Sequence, residues 1–441
     1  MLDATPGMSL RAATLALVTL STLMVLPRVN AQPSMRAEIR VEQDQPVGPP
    51  TDYALVEPHL SVDLRNPNHL VAAAMARVSP GNQNIGCVAF SSFDGGASWT
   101  STHLNVSGLT ACADPWTAIL HDGTALLSYL SKGGIVVLRS PNGGRTWDEP
   151  PVRLLGPYDH PMLLDTGGGV IYLVSALSIR NEHQQGRSAV FVAQSRDGGR
   201  SFSERGRVVI SNLSYEALTP ALLSDGTLVI GAIDHHDASD RPLERRRAWL
   251  VLASGTTFSE PMLVTESCSR TRFTSWPSLT IVRSHTASDD RIVFTCEAEG
   301  NRGILFAHSE DHGNRWTSAT RIDGGLDFAW TKTPTMTTSA AGLLAVTWLD
   351  RRDDSRNECW RLYGMISSDG GDTFSKPKQL SVVPSCPSAE QTGEGVLGRF
   401  PAGGEYHGLV SIGPRQFLAV WPDARNGRFQ LRSVRFSAAE P

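Results

Sequence analysis

Short apolar segments recur along the chain, most of them directly after a proline. They read Glu57-Pro58-His59-Leu-Ser-Val, Asp114-Pro-Trp116-Thr-Ala-Ile, His160-Pro-Met-Leu-Leu, Thr219-Pro220-Ala221-Leu, Trp276-Pro277-Ser-Leu and Thr333-Pro334-Thr-Met, with Tyr406-His407-Gly408-Leu-Val as a last member lacking the proline. Several end in a turn signal, such as Asp122-Gly123, Asp165-Thr-Gly167 or Asp225-Gly226, and a second β-rich run follows, as at Thr227–Ile230 and Leu343–Trp348. A third strand then leads into a second repeated pattern, Ser-x-Asp-x-Gly-x-x-Trp/Phe, and a fourth leaves it. Four short strands per repeat is the grammar of a propeller blade.

The second pattern is found at Ser92–Trp99, Ser140–Trp147 (with Asn142 for Asp), Ser195–Phe202, Ser309–Trp316 and Ser367–Phe374, with a worn copy at Gly255–Phe258. Ser and Asp side chains can bond the amides of a tight turn, the Gly supplies a left-handed backbone, and the aromatic plugs the turn between strands. Seven segment starts against six such turns predict seven blades, with six as the alternative. The final repeat ends at Phe436 with three strands, and Ala37–Glu42 is placed to supply the fourth and close the ring.

Composition narrows the setting. The chain has 441 residues, 40 Gly and 27 Pro spread along its length, and a formal net charge of −4, so nothing marks a nucleic-acid surface. Arg11, the apolar run Ala12–Leu26 and Val29-Asn30-Ala31 have the layout of a secretory signal peptide with cleavage after Ala31, leaving residues 32–441 as one propeller domain; Met1 and Met8 are both candidate starts. No later stretch is long or apolar enough to span a membrane. The cysteines fall as Cys87/Cys112, Cys268/Cys296 and Cys359/Cys386, and neighbour pairing is the simplest of the possible connectivities for an exported chain. No cofactor is implied, and a monomer is expected.

The Ser-x-Asp-x-Gly turns resemble the Asp box, or bacterial neuraminidase repeat, and nearly the whole mature chain resembles a secreted bacterial sialidase-like propeller. The resemblance implies a carbohydrate or glycoconjugate substrate and a structural, non-catalytic role for the box itself. It also implies six blades, an Arg-Ile-Pro segment near the start, which this sequence lacks, and three arginines on the substrate carboxylate. Arg351, Arg352 and Arg425 are the candidates for those arginines. Arg351 and Arg352 are neighbours, so on an extended strand they point to opposite faces.

Because the box joins strands three and four, the other face must carry the starts of first strands and the ends of second strands. The starts give Glu57, His59, Asp114, Trp116, Asp159, His160, Glu216, Trp276, Lys332, Glu405 and Tyr406; the ends give Asp234, His235, His236, Asp350, Arg351, Arg352, Asp423 and Arg425. Carboxylates, aromatics and arginines around a channel suit a sugar, although polar residues at strand ends also simply cap backbone. Three readings follow. In a sialidase-like hydrolase, Tyr406 with Glu405 or Glu216 assists attack and Asp114 or Asp159 is the acid/base. Arg351, Arg352, Arg425, Asp350, Asp423, Trp116, Trp276 and His160 then bind substrate. In a polysaccharide lyase, His59 or His160 works with Tyr406. The third reading is a propeller that binds glycan or protein without turnover. Trp348-Leu-Asp350-Arg351-Arg352 and Trp421-Pro-Asp423-Ala-Arg425 also read as internal ion pairs. Asp234-His235-His236-Asp237 with Asp240, and Arg245-Arg246-Arg247, read as solvated loops rather than a metal site or a nucleic-acid patch.

Overall fold

A computed structural model describes residues 38–439 apart from 78–84, 105–110, 148–149, 181–185, 211–213, 237–245, 270–275, 284–289 and 326. The expected signal peptide lies outside these residues, as do Asp237, Asp240 and Arg245. The described chain is a ring of seven antiparallel four-stranded blades, one more than the sialidase resemblance implies. The innermost strands are Ala54–Asp63, Ala113–Ile119, Tyr158–Asp165, Ser214–Ala217 continued by Ala221–Leu222, Ser278–Val282, Thr331–Thr338 and Gly408–Gly413, numbered here as blades 1 to 7. Ile39–Val41 pairs with the last strand, Gln430–Ala438, with Ile39 opposite Ala438 and Val41 opposite Phe436. The first and last described strands thus share one blade, which covers an otherwise open edge.

Apolar residues alternate across these strands and pack between neighbouring blades. Leu126, Leu173, Val190, Ile230 and Val251 belong to one continuous buried cluster spanning blades 2 to 4. Three disulfides join the neighbouring cysteines, Cys87–Cys112, Cys268–Cys296 and Cys359–Cys386. Among the described residues, no helix is long and apolar enough to cross a membrane.

The repeated turns share one hydrogen-bond scheme. Each serine hydroxyl donates to Asp or Asn Oδ1 two residues on, at 2.8 Å in Ser92–Asp94 and 2.7 Å in Ser195–Asp197, and accepts the N–H of the glycine four residues on, at 2.8 Å from Gly96. The residue before that glycine is left-handed in all five, with φ of 71° at Gly95 and 73° at Gly143. His312 takes the same conformation at 56°, where the other four turns have glycine.

Candidate functional site

The site begins with a backbone irregularity. In blades 1, 2, 3 and 6 the first strand slips register at its proline, between Val56 and His59, Ala113 and Trp116, Asp159 and Met162, and Lys332 and Thr335. The residue before each proline is left-handed: Glu57, Asp114, His160 and Thr333 have φ of 53°, 51°, 49° and 54°. A left-handed non-glycine residue costs about 1–2 kcal/mol, so four repeated instances are a built feature. Three of the four carry an ionisable group, and those three interact with one another electrostatically.

The segment that precedes blade 7 passes across these bulges. Glu57 N–H donates to Gly403 O at 2.9 Å, and Trp276 N–H donates to Glu405 O at 2.6 Å. His407 meets Thr347 Oγ1 at 2.8 Å and Thr333 Oγ1 at 3.1 Å. The approach is close because Gly404, with φ 138°, lies where a Cβ would come within 2.4 Å of Glu57 Cγ. Tyr406 is thereby carried to the channel. Its ring is 6.0 Å from Trp116 and stands edge-on to His160 at 6.5 Å; His59 stacks on Trp116 at 3.6 Å and His160 lies on Trp276 at 3.8 Å.

Tyr406 is buried, and among the described residues its hydroxyl has no hydrogen-bond partner. Burial raises its pKa well above the ordinary phenol value, and the charges of Glu57, Asp114, Glu405 and Asp159 raise it further. The phenol is therefore held neutral. Burial also pushes Glu57 well above the carboxylate range, helped by Asp114 and Glu405, and raises Asp114 to about 6. For His160 burial opposes the charge, but Asp114 and Asp159 outweigh it and lift its pKa well above 6.5. Its Nε2 lies 3.8 Å from Asp114 and its Nδ1 3.3 Å from the half-exposed Asp159. These three side chains could each offer an atom within 4.8 Å of the others. Each imidazole nitrogen faces a different carboxylate, however, which fits an imidazolium better than a metal ligand.

His59 is different. Burial lowers its pKa to about 3, and its Nδ1 accepts the Thr117 N–H at 3.0 Å, which assigns the ring proton to Nε2. Two cations flank the cluster. Arg399, at the end of the short helix Glu394–Arg399, donates to Glu405 Oε1 at 2.5 Å. Arg77 closes the second strand of blade 1, its Nε is buried with no partner among the described residues, and the charges of Glu57 and Asp114 act on it. Both guanidinium groups approach the Phe400 ring, at 4.9 Å for Arg77 and 4.8 Å for Arg399.

Of the sequence-derived candidates, Tyr406, Glu405, Asp114, Asp159, His160, Trp116 and Trp276 come together here. Glu216 pairs with Arg246 at 3.0 Å and acts on His160 through its charge. The arginine candidates go elsewhere. Arg352 pairs with Asp350 at 2.6 Å and Arg425 with Asp423 and Asp44 at 2.9 Å, while Trp348 and Trp421 donate their indole N–H to the same aspartates at 2.7 and 3.2 Å. Asp234 repeats this corner in blade 4, accepting from Trp249 Nε1 at 2.9 Å and from Arg247 Nε at 2.6 Å. Arg351 and Arg352 lie just past the end of the strand Leu344–Asp350, and Arg351 stacks 3.8 Å over Trp360. Arg77 satisfies the rule that second-strand ends face the channel, and so was open to that reasoning. Arg399 sits on an insertion with no repeat to mark it.

A cavity of about 90 Å³ beneath the cluster is lined by Tyr406, Trp116, Trp276 and His59. A larger one of about 500 Å³ opens toward the turns that follow the first strands, with Asp63, Arg65, His121 and Arg283 among its lining residues.

The fold and site together define a seven-bladed β-propeller with a buried tyrosine–carboxylate–imidazolium cluster in its channel. No protein-family model matches the chain, and no curated protein matches it. Among solved structures it is similar to an ulvan lyase of a polysaccharide-lyase family bound to a -[GlcA(1-4)Rha3S]- saccharide, with a TM-score of 0.54 at 12% identity over 88% of this chain and 95% of that one. It is also similar to a protein of unknown function from Dyadobacter fermentans, with a TM-score of 0.51 at 14% identity over 91% and 99%. At these identities the likeness is one of fold.

Proposed function

We propose that this protein is an exported, sialidase-like propeller that hydrolyses a glycosidic bond beside an acidic sugar. The observation that carries the proposal is the Tyr406 hydroxyl, buried and, among the described residues, unbonded, in a set of carboxylates that Arg77 and Arg399 flank. An unpaired buried hydroxyl costs about 1–3 kcal/mol, a cost that makes sense where a reacting group will occupy the gap. Arg399 is half-exposed and bound to Glu405; an incoming carboxylate competes for it, and Arg77 adds a second cation. Releasing Glu405 frees a base beside the phenol. Glu405 takes the phenol proton as Tyr406 attacks the anomeric carbon, and Asp114, proton-bearing up to about pH 6, donates to the departing oxygen. Water, deprotonated by Asp114, then attacks the same carbon and releases the saccharide, and the phenol recovers its proton from Glu405.

The lyase reading needs an imidazole with a free lone pair to take a ring proton. His59 already uses its Nδ1 lone pair on Thr117, and His160 is protonated between two aspartates, so hydrolysis is the better fit. The ulvan lyase of similar fold is bound to a glucuronate-containing saccharide, which supports an acidic sugar as the ligand class.

The test is product analysis with the chain starting at Gln32 on a fluorogenic sialoside and on uronate-containing glycans. Release of fluorophore or of saturated saccharides, lost in Tyr406→Phe, supports hydrolysis. An unsaturated product absorbing in the near ultraviolet would replace it with elimination. Saturable binding without product would leave a binding propeller.

A further inference from the structure

Blade 6 presents a second surface of interest on the cluster face. Trp330 directly precedes its first strand and is 41% exposed, and Phe328 two residues earlier is 55% exposed. Thr333, three residues on, bonds His407 inside the channel, so at roughly 3.3 Å per residue Trp330 stands about 10 Å above it. Behind Trp330 lies Arg351, which donates its backbone N–H to Trp330 O at 3.0 Å and holds its guanidinium 5.4 Å from that ring. The same guanidinium stacks at 3.8 Å on buried Trp360, whose indole N–H donates to Pro401 O at 3.3 Å. Pro401 is two residues from Arg399. Trp330 and Arg351 are thus tied through buried Trp360 to the backbone of the segment that follows Arg399.

We infer that Trp330, backed by Arg351, is a saccharide subsite that stacks a sugar ring of the chain whose acidic residue is seated at Arg399. A flat, rigid and partly exposed aromatic beside a cation suits the C–H face of a pyranose carrying an anionic substituent. The inference rests on the proposed function and extends it: the substrate is an acidic oligo- or polysaccharide, not a lone terminal sugar on any carrier.

The probes are oligosialic acids and oligogalacturonides of two to eight residues, compared with a fluorogenic monosialoside. The parent chain should gain in kcat/KM with oligomer length, and Trp330→Ala should cut that advantage at least tenfold, mainly through KM. Trp330→Phe should restore part of it. An unchanged length dependence in Trp330→Ala overturns the subsite while leaving hydrolysis intact. If no probe is cleaved, the hydrolytic reading fails by itself. Affinity electrophoresis in gels containing polysialate or polygalacturonate then decides the subsite separately. Retardation lost in Trp330→Ala and partly kept in Trp330→Phe supports it, and equal mobility of all three proteins overturns it.

Discussion

Two parts of this ring use the same residue types to opposite effect. At the second-strand corners of blades 6 and 7, Asp350 and Asp423 are fully buried, and each accepts from an indole N–H and an arginine. In blades 1 to 3, Glu57, Asp114 and His160 sit on left-handed pre-proline bulges beside a tyrosine hydroxyl that has no partner among the described residues. The corners are complete and fix the blades. The bulges are strained and hold proton-bearing carboxyls and an unmade bond. Residue type alone therefore says little here; satisfaction of polar groups separates scaffold from site.

The largest effect should come from breaking a corner. Asp350→Ala leaves Trp348 Nε1 and part of Arg352 without their buried acceptor, and should lower unfolding free energy by about 3–5 kcal/mol in denaturant titration. The protein that remains folded should keep its cleavage rate.

Asp114→Asn gives a smaller change of the reverse character. Because folding raises Asp114 to about 6, the native state binds the extra proton between about pH 4 and 6, and its stability falls as pH rises through that window. The variant should lose that slope while also losing activity. In the parent, activity should decline as pH rises past about 6. Asp159→Asn removes a charge that raises Asp114, and should shift that limb to lower pH in a pH–rate profile.

The smallest effect belongs to the turns. His312→Gly replaces the one non-glycine among the five left-handed positions and should raise stability by about 1 kcal/mol, read as a higher thermal midpoint.

The fold was legible because its signals are local. A serine, an aspartate or asparagine and a glycine within five residues specify each of the five turns, and seven first strands beginning at similar segments set the blade count. Closure by residues near 37–42 followed from a missing fourth strand. Half of the site was legible for the same reason: Asp114, His160 and Tyr406 stand at repeat positions. Glu57 stood there too, but its role beside Tyr406 depends on the 403–407 segment, whose path no pattern revealed. The arginines were the hardest. Arg352 and Arg425 lie in the right sequence frame yet close onto their own aspartates, whereas Arg399 reaches the mouth from a helical insertion outside any repeat.

The most direct test of the central claim is the cleavage rate of Tyr406→Phe at equal folded concentration, on whichever acidic glycan the parent hydrolyses. Its hydroxyl has no partner among the described residues, so removal should leave the unfolding midpoint unchanged or higher while cleavage falls by about 100-fold or more. A variant that cleaves as fast as the parent would contradict the account and place the chemistry elsewhere on the ring.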